Sequence, residues 1–276
     1  MRRLIITADD FGLSTAVNEA VELAHRDGVL TAASLMVGAP EADDAIARAR
    51  RLPGLAVGLH VALVQGSAIL PPAAIPDLVD AAGRFSDNLF AAGVRYFFHP
   101  RARAQLRAEI AAQFEAFRAT GLRLDHVNAH NHMHLHPTVL SLILEVGQAY
   151  GMRAMRLPFE PTWLSWRATH SRFAARASTN LFLQPWIALM RARLQRANVT
   201  CNDTVFGLHD SGAMREVAVL GFLERLPAGI SEIYFHPAMN GPDEQDFHVL
   251  TSSRVRAAVE SLRVERGGYL AADHAG

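Results

Sequence analysis

At 276 residues, half of them hydrophobic and a fifth charged, the chain is long enough for one large domain with a sizeable core. Basic and acidic residues balance at 27 each, which gives no basis for nucleic-acid binding, and a single cysteine, Cys201, excludes a disulfide within the chain. There is no lysine, so Schiff-base catalysis, a phosphate-binding P-loop and a carbamylated-lysine metal bridge are excluded together.

Residues 3–8, Arg-Leu-Ile-Ile-Thr-Ala, read as a short buried parallel strand. That run is too brief for a signal peptide or a membrane span, so the expectation is a cytoplasmic protein. The strand ends at Asp9-Asp10-Phe11-Gly12, and Ser14 is placed to cap a helix over 15–27. A strand over 33–37, a helix over 42–51 and a strand over 55–59 ending on His60 follow. Residues 64–101 are broken by Pro71-Pro72, Pro76 and Pro100 and carry no clear period. Helix resumes over 103–119, a strand over 124–129 leads into the histidine run, and Pro137 opens a helix through 150. A strand over 154–157 carries Arg156. The stretch 159–212 reads as a helical insertion or lid with a helix over 180–197, and it holds all three tryptophans. A helix over 215–225, a strand over 232–235, His236-Pro237, a helix over 254–265 and a strand at 269–270 complete the chain. Alternating strands and helices predict a single domain over 1–276, an irregular α/β barrel of the TIM-barrel type.

The polar residues sit where such a barrel does chemistry. Asp9-Asp10, His60, His130 and His236 each fall at the end of an apolar strand, and strand C-termini converge on one face. Asp10, His60 and His130 make a carboxylate-plus-two-imidazole set for one divalent cation, zinc or magnesium, with positions left for water and substrate. Asp9 is placed to take a proton from that water and His236 to give one to a leaving amine. Each has a plainer reading: an acidic pair before a helix also favours its dipole, and a lone strand-end histidine is common.

Between 126 and 136 the chain carries five histidines: His126, His132, His134 and His136 flank His130. If the strand continues, alternation puts His130, His132 and His134 on one side, so His132 and His134 are assigned, with Arg156, to substrate contacts or support of the ligands. His126 and His136 are read as structural, and His25, His99, His170, His209, His248 and His274 as surface or loop residues.

Ala8-Asp9-Asp10-Phe11-Gly12-Leu13-Ser14, Val57-Gly58-Leu59-His60-Val61, His130-Asn131-His132-Met133-His134 and Phe235-His236-Pro237 resemble, in order, the motifs of the YdjC-like (ChbG) carbohydrate deacetylases. The likeness extends toward the hopanoid-biosynthesis branch, HpnK. It implies a TIM-barrel-like fold, a homodimer, and metal-dependent removal of N-acetyl groups from amino sugars. By position it makes Asp10, His60 and His130 the metal ligands, Asp9 the base and His236 the acid. Asn128 departs from it, standing where relatives often have an acid. Residues 159–212 depart too; their helical apolar spacing, laced with arginine, suits a lid or dimer helix, or else a lipid-linked sugar and peripheral membrane contact. Two rivals stand beside this reading: a 2-His-1-carboxylate iron enzyme, which the same ligand set permits, and a non-catalytic metal- or lipid-binding protein that buffers ions on the histidine run.

Overall fold

The computed structural model describes residues 2–270, so His274 lies outside the described residues. Seven strands form one parallel sheet: β1 (Arg2–Phe11), β2 (Ala32–Leu35), β3 (Ala56–Val61), β4 (Val127–Ala129), β5 (Thr204–Phe206), β6 (Gly229–Phe235) and β7 (Glu265–Arg266). The order is β4-β3-β2-β1-β6-β5. β7 pairs the first half of β1, through Arg3 and Leu4, and β2 takes over from Thr7. Single parallel bridges, Val127 to Met155 and Ala154 to Thr200, run from β4 toward the segment that enters β5, the opposite edge. The curled sheet is thus spanned across its gap by isolated residue pairs. The strand expected over 154–157 is reduced to these bridges and ends against Pro158, which has no N–H to donate.

Ten helices accompany the sheet among the described residues: α1 (Thr15–Arg26), α2 (Ala42–Arg50), α3 (Leu89–Phe98), α4 (Pro100–Ala119), α5 (Pro137–Ala149), α6 (Thr162–Thr169), α7 (Phe173–Arg196), α8 (Glu216–Glu224), α9 (Glu244–Leu250) and α10 (Ser253–Ser261). The Ser14 cap forms as expected, its side chain accepting the Val17 N–H at 3.2 Å. α1 turns Val17, Val21 and Ala24 into the core. These apolar faces, with the inner residues of β1 to β3, make one continuous core.

Four elements differ from the expectation. α3 was not legible because its sequence, Leu-Phe-Ala-Ala-Gly-Val-Arg-Tyr-Phe-Phe, is apolar on nearly every side, although only Ala92 and Tyr96 are buried. α7 begins at Phe173, before the expected 180, and continues through Pro185. The stretch 159–212 holds α6 and α7 but also β5, a strand of the main sheet, so it is not helical insertion throughout. At the C-terminus, Tyr269 and Leu270 form no strand; their backbone N–H groups donate to Asp125 instead.

Candidate active site

The two adjacent aspartates share one end of β1 because the strand is irregular there. Successive strand residues point to opposite faces, but the β1–β2 register shifts between Ala8 and Phe11, and Asp10 adopts φ 61°. This left-handed backbone costs on the order of 1–3 kcal/mol for a non-glycine residue. Gly12, at φ 101°, then donates its N–H to Asn18 Oδ1 as the chain turns into α1.

Asp10, His60 and His130 come together. Asp10 Oδ1 lies 2.9 Å from His130 Nδ1 and 3.2 Å from His60 Nε2, and the two imidazole nitrogens are 3.3 Å apart. His236, directly after β6, brings Nε2 to 3.9 Å from Asp10 Oδ2, while its Nδ1 meets Ser211 Oγ at 2.6 Å.

The partners of His60 decide what this cluster can hold. Asn128 on β4 donates through Nδ2 to Asp9 Oδ1 and to Ser34 Oγ, each at 3.0 Å, which orients its amide. Its Oδ1 therefore faces His60 Nδ1 at 2.7 Å and must accept an N–H from it. Neutral His60 then carries its proton on Nδ1 and presents the Nε2 lone pair to the Asp10 carboxylate. A lone pair aimed at an anion is favourable only around a cation, and these three residues each offer a ligand atom within 4.8 Å of the others. The donor set fits a divalent metal ion. The hydrogen-bonded chain continues downward: Ser34 Oγ to His126 Nε2 at 3.0 Å, and His126 Nδ1 to Asp125 Oδ2 at 2.9 Å. His126 fits only because residue 58 is glycine; a Cβ there would lie 2.5 Å from its ring.

With this geometry in place, comparison with known proteins is informative. The family model described as "YdjC-like protein" matches residues 3–261. The chain belongs to the YdjC-like family. It is 36% identical over 165 residues to a carbohydrate deacetylase of Brevibacillus brevis, covering 59% of this chain and 60% of that protein. It is 27% identical over 243 residues to one from Thermoanaerobacter pseudethanolicus, covering 86% and 82%. A crystal structure from Enterococcus faecalis, of a protein named for cellobiose-phosphate cleavage, superposes with a TM-score of 0.75 at 25% identity over 97% of both chains.

Within this YdjC-like chain, Asp9 is the most constrained residue of the motif. Arg156 grips it through Nη1 to Oδ2 at 2.5 Å and Nη2 to Oδ1 at 2.9 Å. The other edge of the same guanidinium holds Glu232, through Nε at 2.9 Å and Nη2 at 2.8 Å. Glu232 also accepts the Thr7 hydroxyl at 2.6 Å and the Tyr269 hydroxyl at 2.5 Å. Burial would raise the Asp9 carboxyl, but the Arg156 charge and the Arg156 hydrogen bonds overcome it and hold it far below the usual range. Burial likewise opposes ionisation of Asp10, and the hydrogen bond from His130 is the largest effect that reverses it.

Two residues expected at the substrate lie elsewhere. Arg156 is fully buried and its guanidinium is committed to Asp9 and Glu232, so it supports the site from beneath. His134 is also fully buried, and its Nδ1 accepts the Ala129 N–H at 3.1 Å. The cause is that the strand stops at Ala129: His130–Leu135 winds into a 3-10 turn, with Asn131 and His132 left-handed at φ 51° and 53°. Alternation through the histidine run is lost. His132 remains near the site, with Nε2 3.1 Å from the Tyr234 hydroxyl; burial, then Arg156, lower its pKa to about 3, so the imidazole is neutral.

Glu232, Tyr234 and Tyr269 were missed. A signal existed for Glu232, a charge inside the run Ile-Ser-Glu-Ile-Tyr-Phe; Tyr269 carried none, because its partner is 37 residues away. A cavity of about 270 Å³ opens beside His60, lined among others by Leu13, Met36, Gln65, Ser67 and Arg84. A larger one, about 720 Å³, lies at the opposite ends of the strands by Leu55, Asp125 and Gly268, away from the ligand set.

Proposed function

We propose that this chain is a metal-dependent N-deacetylase that removes acetyl from an N-acetylated amino sugar. The observation that carries the reading is the convergence of Asp10, His60 and His130, with the proton of His60 directed away from the cluster by Asn128. The chain's similarity to carbohydrate deacetylases supports the substrate class.

Asp10, His60 and His130 would hold the ion, zinc or magnesium. Bound there, it supplies a Lewis acid that polarises an acetamide carbonyl and acidifies water. Asp9 takes the proton of the attacking water, and Arg156 keeps it in the ionised form that can accept one. His236, at the partly exposed rim with Ser211 steadying its Nδ1, gives a proton to the departing amine. The products are acetate and the free amino sugar. The cavity beside His60 is of a size to take one sugar unit.

Two finer readings rest on the resemblance: a homodimer, and a hopanoid-linked amino sugar as substrate, the latter supported by the apolar surface of α6 and α7. Metal analysis of protein purified without chelator, with acetate release from N-acetylchitooligosaccharides and from an N-acetylglucosaminyl lipid, tests the set. His60→Ala should lose the ion, and Asp9→Asn should lower kcat about 10²- to 10⁴-fold. Undiminished turnover by Asp9→Asn would remove it as the base, and oxygen uptake without acetate would replace deacetylation with iron chemistry.

A further inference from the structure

The exposed apolar side chains of this molecule are concentrated on two helices. On α3, Phe90 and Phe98 are 82% and 69% exposed, with Phe97 between them in sequence. On α7, Leu181 and Phe182 are 80% and 75% exposed, and Trp186 lies one turn further on. Patches of this kind on a globular protein mark a surface that meets something else.

Both helices pack beside the same point. The Phe97 ring lies 6.0 Å from that of His136, and Arg193 of α7 donates to Ser141 Oγ at 2.8 Å. His136 to Ser141 is the first turn of α5, directly after the turn that carries His130. The apolar helices therefore flank the strand-end face that bears the candidate metal ligands.

Charge identifies the occupant. Across residues 161–202 the ionisable chain charges are Arg167, Arg172, Arg176, Arg191, Arg193 and Arg196, with no Asp or Glu. Across 88–108 they are Arg95, Arg101, Arg103 and Arg107, again with no acid. The chain as a whole is neutral, so these two segments, free of acids, are locally cationic. Arg176, Arg101 and Arg107 are taken by acids from outside them. Arg103 and Arg196 are exposed and have no ion pair among the described residues, and Arg167 sits over the Trp163 ring at 6.0 Å. Exposed Phe, Leu and Trp with arginines beside them is the side-chain set that settles in the headgroup layer of an anionic bilayer. A second copy related by a two-fold axis would set arginine against arginine on this face. No helix among the described residues is long and apolar enough to cross a membrane.

We propose that α3 and α7 form a docking surface for an anionic phospholipid bilayer, which holds the strand-end face of the molecule at the lipid surface. The inference does not rest on the deacetylase reading, since vesicle binding requires no turnover. The full chain is mixed with phosphatidylcholine vesicles with and without phosphatidylglycerol and sedimented. Trp163, Trp166 and Trp186 all lie on α6 and α7, so intrinsic fluorescence reports the same contact. The expected result is binding to the phosphatidylglycerol vesicles that weakens with salt, with a blue-shifted emission. Leu181→Glu/Phe182→Glu and, separately, Phe90→Glu/Phe98→Glu should each reduce partitioning about tenfold or more. Far-ultraviolet circular dichroism and acetate release from a soluble chitooligosaccharide should be unchanged in both. Wild-type protein that ignores the anionic vesicles overturns the proposal, as does binding that both double variants retain. Variants that turn a dimer into a monomer, when the wild type does not sediment with vesicles, assign the face to a second copy instead.

Discussion

Two arginines are buried completely in this molecule, and Asp9 and Glu160, the carboxylates they hold, end up shifted in opposite directions. Arg156 bridges Asp9 and Glu232 in the interior of the sheet; Arg176 bridges Glu160 and Asp210 where α7 meets the loop after β5. Asp9 is driven far down because Arg156 is reinforced by His236, and Asn128 donates to it as well. Glu160 is driven up: burial outweighs Arg176, and the neighbouring Asp210 adds a like charge. The same kind of ion pair thus keeps the proposed base ionised in one place and makes a structural tie in the other. What differs is the company, cationic around Asp9 and anionic around Glu160.

Removing the first arginine should have the largest effect. Arg156→Ala leaves two buried carboxylates without their cation, at a cost of about 3–5 kcal/mol in stability, and the surviving folded protein should turn over poorly. Urea denaturation beside an acetate assay measures both, and wild-type kcat in folded Arg156→Ala would break the contrast. Arg176→Ala should cost less, about 2–3 kcal/mol, since Asp210 can reach water. Its kcat on a soluble substrate should stay near wild type; a fall matching that of Arg156→Ala would erase the distinction between the two pairs.

Asn128→Ala sharpens the first region. It frees His60 to turn or to protonate Nε2, and metal affinity, measured by competition with a chromogenic chelator, should drop about 10- to 100-fold. The smallest effect concerns the floor of that network. Burial raises the Asp125 carboxyl, but hydrogen bonds from His126, Tyr269 and Leu270 bring it below its ordinary 3.8. A depressed carboxylate contributes stability above the unfolded value and loses it as pH falls through the folded one. Asp125→Asn should therefore cost about 1–2 kcal/mol at neutral pH, and the gap should close in acid denaturation curves below about pH 3.8. A gap independent of pH would mean that the charge of Asp125 is not involved.

Much of this was legible from residue order. The grouping of Asp10, His60 and His130 was readable because each follows an apolar strand, and parallel strands bring such ends together whatever the details of closure. The roles within the histidine run were not, because they depend on two left-handed residues, Asn131 and His132, that no alternation rule anticipates. Arg156 was singled out but misplaced: an arginine ending a strand looks the same whether it meets solvent or, as here, two carboxylates from β1 and β6. α3 escaped notice because its exposed phenylalanines hide the period that a core-facing helix displays.

The hydroxyl of Tyr269 has a consequence for handling the protein. It reaches from beyond the last strand to Glu232, and through Arg156 it leans on Asp9. A trypsin-like cut after Arg266 would leave the sheet's six principal strands intact yet withdraw that prop. Preparations clipped near the carboxyl terminus should then lose stability, since Tyr269 is buried, and loosen the hold on Asp9.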